Sequence, residues 1–173
     1  MAATVRTLTA PDVAALLALQ AEALHAAAVY AAAARLAQDI CDNLRLITVL
    51  RYRENEALVE RIYSSDPAYP IGGTKPLAAF PLNHAAMARG DVFLAATKTE
   101  VKAAFTDHER LFAMGITAIL NAPVRHAGRR LATLNLCGTE GQFGVLQIAG
   151  VRTIASALAP TLLGREATFQ NRT

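Results

Sequence analysis

Three ionisable residues stand in a row at Asp107-His108-Glu109. Adjacent helical residues point about 100° apart, so at most two of them can serve one site. A histidine beside a carboxylate is a candidate acid–base group, because its proton affinity lies near neutrality and the neighbour tunes it. The same triplet also suits a helix start, with Thr106 or Asp107 as the cap and Glu109 in the first turn. The two roles are compatible. His84 is a further acid–base candidate, whereas His25 and His126 read as surface or turn residues. Joining His84 and His108 into a metal site would need a third ligand such as Asp107 or Glu109. No HxH or HxxxH spacing presents two imidazoles together, and no metal is expected.

Other reactive side chains lack the partners their chemistry requires. Ser64 and Ser65 have no G-x-S-x-G context. Gly72-Gly73-Thr74-Lys75 departs from a phosphate loop, since a glycine stands where the lysine belongs and Pro76 follows Lys75. It reads as a turn, with Lys75 at most an anion contact. Cys41 and Cys137 are far apart and show no CxxC spacing, so neither a disulfide, zinc nor thiol-exchange chemistry is expected. No motif implies a cofactor. Tyr63 and Tyr69 flank a loop rich in turn residues, and each is read either as packing or as a ligand contact.

The elements that position these groups follow from periodicity. Thr9-Ala10-Pro11-Asp12 opens a helix, and Val13, Leu16, Leu17, Gln20 and Leu24 give it an apolar stripe. Helix continues, with or without a break near Ala28–Ala32, to Asp42-Asn43. Residues 44–52 and 58–64 read as strands around a turn at Glu54-Asn55-Glu56. Residues 64–76 read as an irregular loop. A short helix at 83–87, a short strand at 92–94 and a helix at 99–114 ended by Gly115 follow. The last helix spans 145–163, with Val151, Ile154, Ala155, Leu158 and Leu162 on one stripe and a kink at Pro160.

The clearest hairpin is 116–125 with 129–137, joined by His126-Ala127-Gly128. A three-residue turn sets Asn121 opposite Thr133 and Ile119 opposite Asn135, all on one side. Leu120, Ala122, Leu134 and Leu136 occupy the other side and form the core. A face carrying Asn, Thr and Asn among apolar neighbours suits a pocket with a few placed hydrogen-bonding groups. The alternative is an ordinary face turned to solvent. Antiparallel strands framed by helices make an α+β domain.

Two segments resemble the GAF domain family, in particular small bacterial GAF proteins. The first is Val59-Glu60-Arg61-Ile62-Tyr63-Ser64-Ser65-Asp66-Pro67, continuing through Tyr69-Pro70-Ile71-Gly72-Gly73 to Lys75-Pro76. The second runs from Phe105-Thr106-Asp107-His108-Glu109 through Gly115, Asn121-Ala122-Pro123-Val124 and Gly128-Arg129 to Leu131-Ala132-Thr133-Leu134-Asn135-Leu136, before Glu140-Gly141. The likeness covers roughly Arg45 to Leu163. Leu82 and Gln142 stand where similar proteins tend to carry tryptophan.

The resemblance implies an antiparallel sheet of five or six strands. N- and C-terminal helices would pack on one face, with a pocket under loops on the other. It also implies a homodimer through the first and last helices, whose small-residue stripes permit close packing. Residues 1–43 are then a helical region for dimerisation and packing, 44–165 the GAF-like domain and 166–173 a tail. The expected ligand contacts are Tyr63, Tyr69, His84, His108, Asn121, Thr133 and Asn135. The expected function is binding or sensing a small organic metabolite. The alternative is a small catabolic enzyme (hydrolase, isomerase or lyase) using His108, Asp107, Glu109 and His84 as acid–base groups, with Asn121 and Asn135 orienting substrate.

Composition narrows the partners. With 173 residues, 53% hydrophobic and 18% charged, the chain can bury a core without staples and is not disordered. The net charge is +3, but Lys and Arg are scattered singly apart from Arg129-Arg130, so nucleic acid is not an expected partner. No stretch of about 18 apolar residues is expected to avoid charge, because Glu22, His25, Arg35 and Asp39 interrupt the alanine-rich region, and no membrane is an expected partner. The N-terminus lacks the pattern of a secretory leader, and a cytoplasmic location is expected.

Overall fold

A computed structural model describes residues 6–170, with side chains as far as Gly164. Two helices, α1 (Ala10–Glu22) and α2 (Ala26–Cys41), precede β1 (Leu46–Arg53), β2 (Leu58–Ser64) and β3 (Thr74–Pro76). Then come α3 (Pro81–Arg89), β4 (Phe93–Ala95), α4 (Lys98–Ala104) and α5 (His108–Ala113). The chain closes with β5 (Ala118–His126), β6 (Arg129–Gly138), α6 (Val145–Ala157) and α7 (Ala159–Gln170). The six strands form one sheet in the order β3-β2-β1-β6-β5-β4, with every neighbouring pair antiparallel.

Strand alternation divides the sheet into two faces. Val49, Leu120, Ala122, Leu134 and Leu136 pack against a helical layer that includes Val29, Ala33 and Ala37 of α2 and Val151 and Ile154 of α6. The alanines of α2 let the helices lie close to one another and to the sheet. Gly150 in α6 is part of that fit, because a Cβ there would fall 2.7 Å from Ile40 Cδ1. The opposite face is covered by residues 65–73, α3 and the α4–α5 segment.

Several boundaries differ from the sequence reading. The first helical region breaks at Ala23–His25, earlier than expected, because a run of alanines carries no residue that marks a stop. The expected helix at 99–114 is two helices. Phe105 takes an extended conformation between them and packs edge-on to Phe93. The last helix is also divided, at Leu158, where Pro160 has no N–H for the Ser156 carbonyl. Helix α7 continues to Gln170, so most of the expected tail is helical, and 171–173 lie outside the described residues. Finally, Thr74–Pro76 is a short edge strand inside the segment read as loop. Pro76 is tolerated because an edge needs fewer donors.

Candidate functional site

The hairpin register places the polar residues. Its turn has two residues, Ala127 and Gly128, both with positive φ (47° and 78°), the pattern favoured between antiparallel strands. Leu131 is an extra residue on β6, where the register shifts between Val124 and Arg125. Asn121 therefore pairs with Asn135 and Pro123 with Thr133, rather than Asn121 with Thr133. The shorter turn and the bulge each move the register by one residue. Together they move it by two, which preserves the face.

Thr48, Asn135 and Asn121 then stand side by side on β1, β6 and β5. Asn83 of α3 adds a fourth member, its Nδ2 donating to Asn121 Oδ1 at 2.7 Å. The Asn121 amide donates to Asn135 Oδ1, which also accepts from Thr133 Oγ1 at 2.8 Å. Asn135 Nδ2 donates to Thr48 Oγ1 at 3.2 Å. All five residues are buried. The face is enclosed rather than washed by solvent.

A second row crosses the sheet beside the first, pairing Arg61 with Leu50 and Leu50 with Thr133. Arg61 is only 9% exposed, and its Nη1 donates to the Pro70 carbonyl at 2.8 Å. Its backbone also binds the covering loop, through Arg61 N to Gly73 O and Gly72 N to Arg61 O, each 2.8 Å. A Cβ at Gly73 would lie 2.8 Å from Arg61 Nη1, so a side chain there would displace the guanidinium from its present position. Tyr69 is buried between two guanidinium groups, with Arg61 4.9 Å and Arg110 4.2 Å from its ring centre. Lys75 Nζ meets Asp107 Oδ2 at 2.6 Å and ties β3 to the start of α5. Among the described residues, Tyr69 Oη and Arg61 Nε have no hydrogen-bond partner.

These rows and their cover line a partly open cavity of about 70 Å³. Its walls mix the polar groups above with apolar side chains such as Leu46, Leu50, Val59, Phe105 and Ile119. Burial pushes the Cys137 thiol in this wall up to about 12, and the Tyr52 hydroxyl likewise to about 12. Burial also raises Tyr69 and lowers Arg61 from their ordinary values.

The structure separates the candidate residues. Asn121, Thr133, Asn135, Tyr69 and Asp107 line the cavity. Tyr63 does not. A bulge at Ile62 pairs Tyr63 with Val49 and turns it to the helical side, where its ring lies 6.3 Å from that of Tyr30. Without that extra residue, Tyr63 would share the face of Val59 and Arg61. The acid–base triplet also divides. Asp107 points inward, while His108 and Glu109 line an outer groove with Lys98, Lys102 and Phe112. His108 Nδ1 lies 2.9 Å from the Phe105 carbonyl, which can only accept, so that nitrogen carries the proton. His84 lies outside the cavity, its Nδ1 3.1 Å from Arg130 Nη1. Among the described residues, no three His, Cys, Asp or Glu side chains are grouped to hold a metal ion.

Arg61 and Asn83 were not among the sequence candidates. Alternation from Val59 places Arg61 on the enclosed face, a signal legible once β2 is assigned. Asn83 lies on a short helix whose contact with the sheet no periodicity reveals. Leu82 is exposed, and the Gln142 amide binds the carbonyls of Cys41 and Asp42, so neither lines the cavity.

Comparison with solved structures identifies the architecture. The chain is similar to the GAF domain of a phosphoenolpyruvate-protein phosphotransferase from Coxiella burnetii, with a TM-score of 0.72 and 13% identity over 94% of this chain and 99% of that one. The corresponding domain from Acinetobacter gives a TM-score of 0.70 and 14% identity, covering 91% and 93%. The chromophore-binding domain of a bacteriophytochrome from R. palustris gives 0.69 and 13%, covering 91% and 61%. No family model and no curated protein matches the sequence. The chain has the GAF fold: a six-stranded antiparallel sheet with terminal helices on one face.

Proposed function

We propose that this chain is a small-molecule-binding GAF domain that senses a small organic metabolite in the cavity beneath residues 65–76 and α3–α5. One observation carries the reading: Asn121, Thr133 and Asn135 are buried at 3–4% exposure, facing enclosed space rather than bulk water. An ordinary exposed sheet face would leave them in solvent. Sensor and chromophore-binding proteins among the structural neighbours support it by analogy of fold. A catalytic reading finds less support, because Asp107 is the one acid–base candidate of four in the cavity wall, and it is held by Lys75.

The reading takes the active form as a cytoplasmic homodimer through the terminal helices, with neither nucleic acid nor a membrane as partner. Residues Val145–Gly164 are long and apolar enough to cross a membrane, by length and composition alone. However, Val151, Ile154, Ala155, Leu158 and Leu162 of that stretch lie in the core. Ligand occupancy would reach the helices through the sheet between them.

The test is a metabolite screen by thermal shift on the wild type and Leu50→Trp, which fills the cavity. Hits are then followed over time by mass spectrometry. The expected result is a stabilising compound that the variant no longer binds and that stays chemically unchanged. Turnover of the hit would overturn the sensing assignment. A screen in which Leu50→Trp abolishes no hit would overturn the cavity itself.

A further inference from the structure

Resting on that cavity reading, we propose that the ligand is a small organic monocarboxylate whose carboxylate is held by Arg61 at the β2 side of the cavity. The argument begins with which polar groups in the wall are satisfied. The amide row of Asn83, Asn121, Asn135 and Thr48 closes on itself through its own hydrogen bonds. Those bonds fix its side chains, and each amide nitrogen keeps a second hydrogen. The opposite end differs. Arg61 is nine-tenths buried, yet its guanidinium donates to one carbonyl, and its Nε has no partner among the described residues. Tyr69 Oη, at 5% residue exposure in the same wall, also has none.

The charge count points the same way. The cavity wall carries Arg61, Lys75 and Asp107. Lys75 and Asp107 pair at 2.6 Å, and Arg61 makes no ion pair among the described residues, with Asp107 acting on it only at longer range. The wall therefore holds one positive charge in excess, and Arg61 is buried without a direct ion-pair partner, a costly arrangement unless something supplies one. Arg110 adds another cation on the outer side of Tyr69. A negatively charged ligand group supplies Arg61 with the ion-pair partner it lacks.

Shape selects the carboxylate. A guanidinium presents parallel N–H groups that match two carboxylate oxygens in one plane. A cavity of about 70 Å³ limits the remainder to a few heavy atoms, and Leu46, Leu50 and Val59 give it apolar surroundings. Because Arg61 also binds Pro70 and Gly73, a carboxylate at Arg61 acts directly on the hydrogen bonds that hold the covering loop.

Acetate, propanoate and butanoate, each beside its own amide, provide the test. Binding is measured by amide chemical-shift titration on the full chain, for the wild type, Arg61→Gln and Arg61→Lys. At least one acid should bind ten-fold or more tightly than its amide, with shifts clustered at residues 61 and 69–75. Arg61→Gln should weaken the acid ten-fold or more, and Arg61→Lys, which keeps charge but loses the planar fork, should fall between. Amides binding as well as acids, or acid binding that survives Arg61→Gln, would overturn the proposal. So would a series in which nothing binds. The acid–amide comparison on the wild type stands even if a variant does not fold. Should the metabolite screen yield a neutral cavity ligand lost in Leu50→Trp, the carboxylate assignment fails while the cavity survives. Should that screen give nothing, the cavity fails with it.

Discussion

Asn135 and Asn121 face each other directly across β6 and β5, and the Asn121 side-chain amide donates to the Asn135 carbonyl. Because Asn135 Oδ1 also accepts from Thr133, and its Nδ2 reaches Thr48, one side chain joins three strands. Buried polar networks of this kind are stable only when each member finds its partner.

Asn135→Ala removes the shared member and leaves the Asn121 donor unsatisfied in an apolar surrounding. The expected loss is about 2–3 kcal/mol, from stranded polar groups together with the space left behind. Thr133→Val is milder, near 1 kcal/mol, because Asn135 Oδ1 keeps its bond from Asn121. Urea denaturation of both variants checks this. Equal losses would mean that Asn135 is not the hub.

The sequence discloses the two faces of the central strands because side-chain alternation survives small errors of register. The expected three-residue turn was wrong by one, and the bulge at Leu131 added another, so the polar face remained correct while the partners changed. At Tyr63 a single bulge at Ile62 had no compensating shift, and the side chain reversed. Bulges leave little trace in composition, which is why the sequence left this tyrosine open between packing and ligand contact. The division of Asp107 from His108 was implicit in helical geometry, but its direction depends on Lys75, 32 residues away. Such tertiary choices have no local signal. Arg61 was legible in principle, and its charge made it resemble a surface residue.

The Lys75–Asp107 pair closes one side of the cavity, holding the covering loop to α5. Both side chains are partly exposed (34% and 27%), so the pair should contribute about 0.5–1 kcal/mol rather than the larger value of a dry ion pair. Asp107→Asn should lower stability by that amount. Hydrogen exchange should also speed up at residues 66–76 and 105–110, while the core strands keep their protection. Unchanged exchange in these segments would show that the loop is held by Arg61 alone.

The proposed dimer has a specific surface. Leu17 of α1, Leu24 in the break that follows it, and Val145 and Leu146 at the start of α6 are exposed large apolar side chains. Leu146 also lines a groove with Leu8 and Val13 between these helices. Leu146→Glu should convert a dimer to a monomer in light scattering, and leave cavity binding intact because α6 lies on the other face of the sheet. A wild-type protein that stays monomeric at high micromolar concentration would remove the dimer from the account.

Three buried acids predict how the fold responds to alkali. Burial pushes Cys41 and Cys137 from 9.0 up to about 12, and Tyr52 from 10.0 up to about 12. In the unfolded chain these groups lose protons first, while the folded chain holds them, so the unfolded state gains as pH rises. Their contribution is complete below about pH 9 and declines from there towards 12, at roughly 1.4 kcal/mol per pH unit for each fully titrating group. Urea midpoints measured from neutrality to about pH 10.5 should fall. Cys137→Ala should flatten that fall relative to its own neutral value, and a thiol reagent should find neither cysteine reactive before denaturation. Rapid labelling of Cys137 in the native protein would mean that the cavity wall opens to solvent far more readily than its packing indicates.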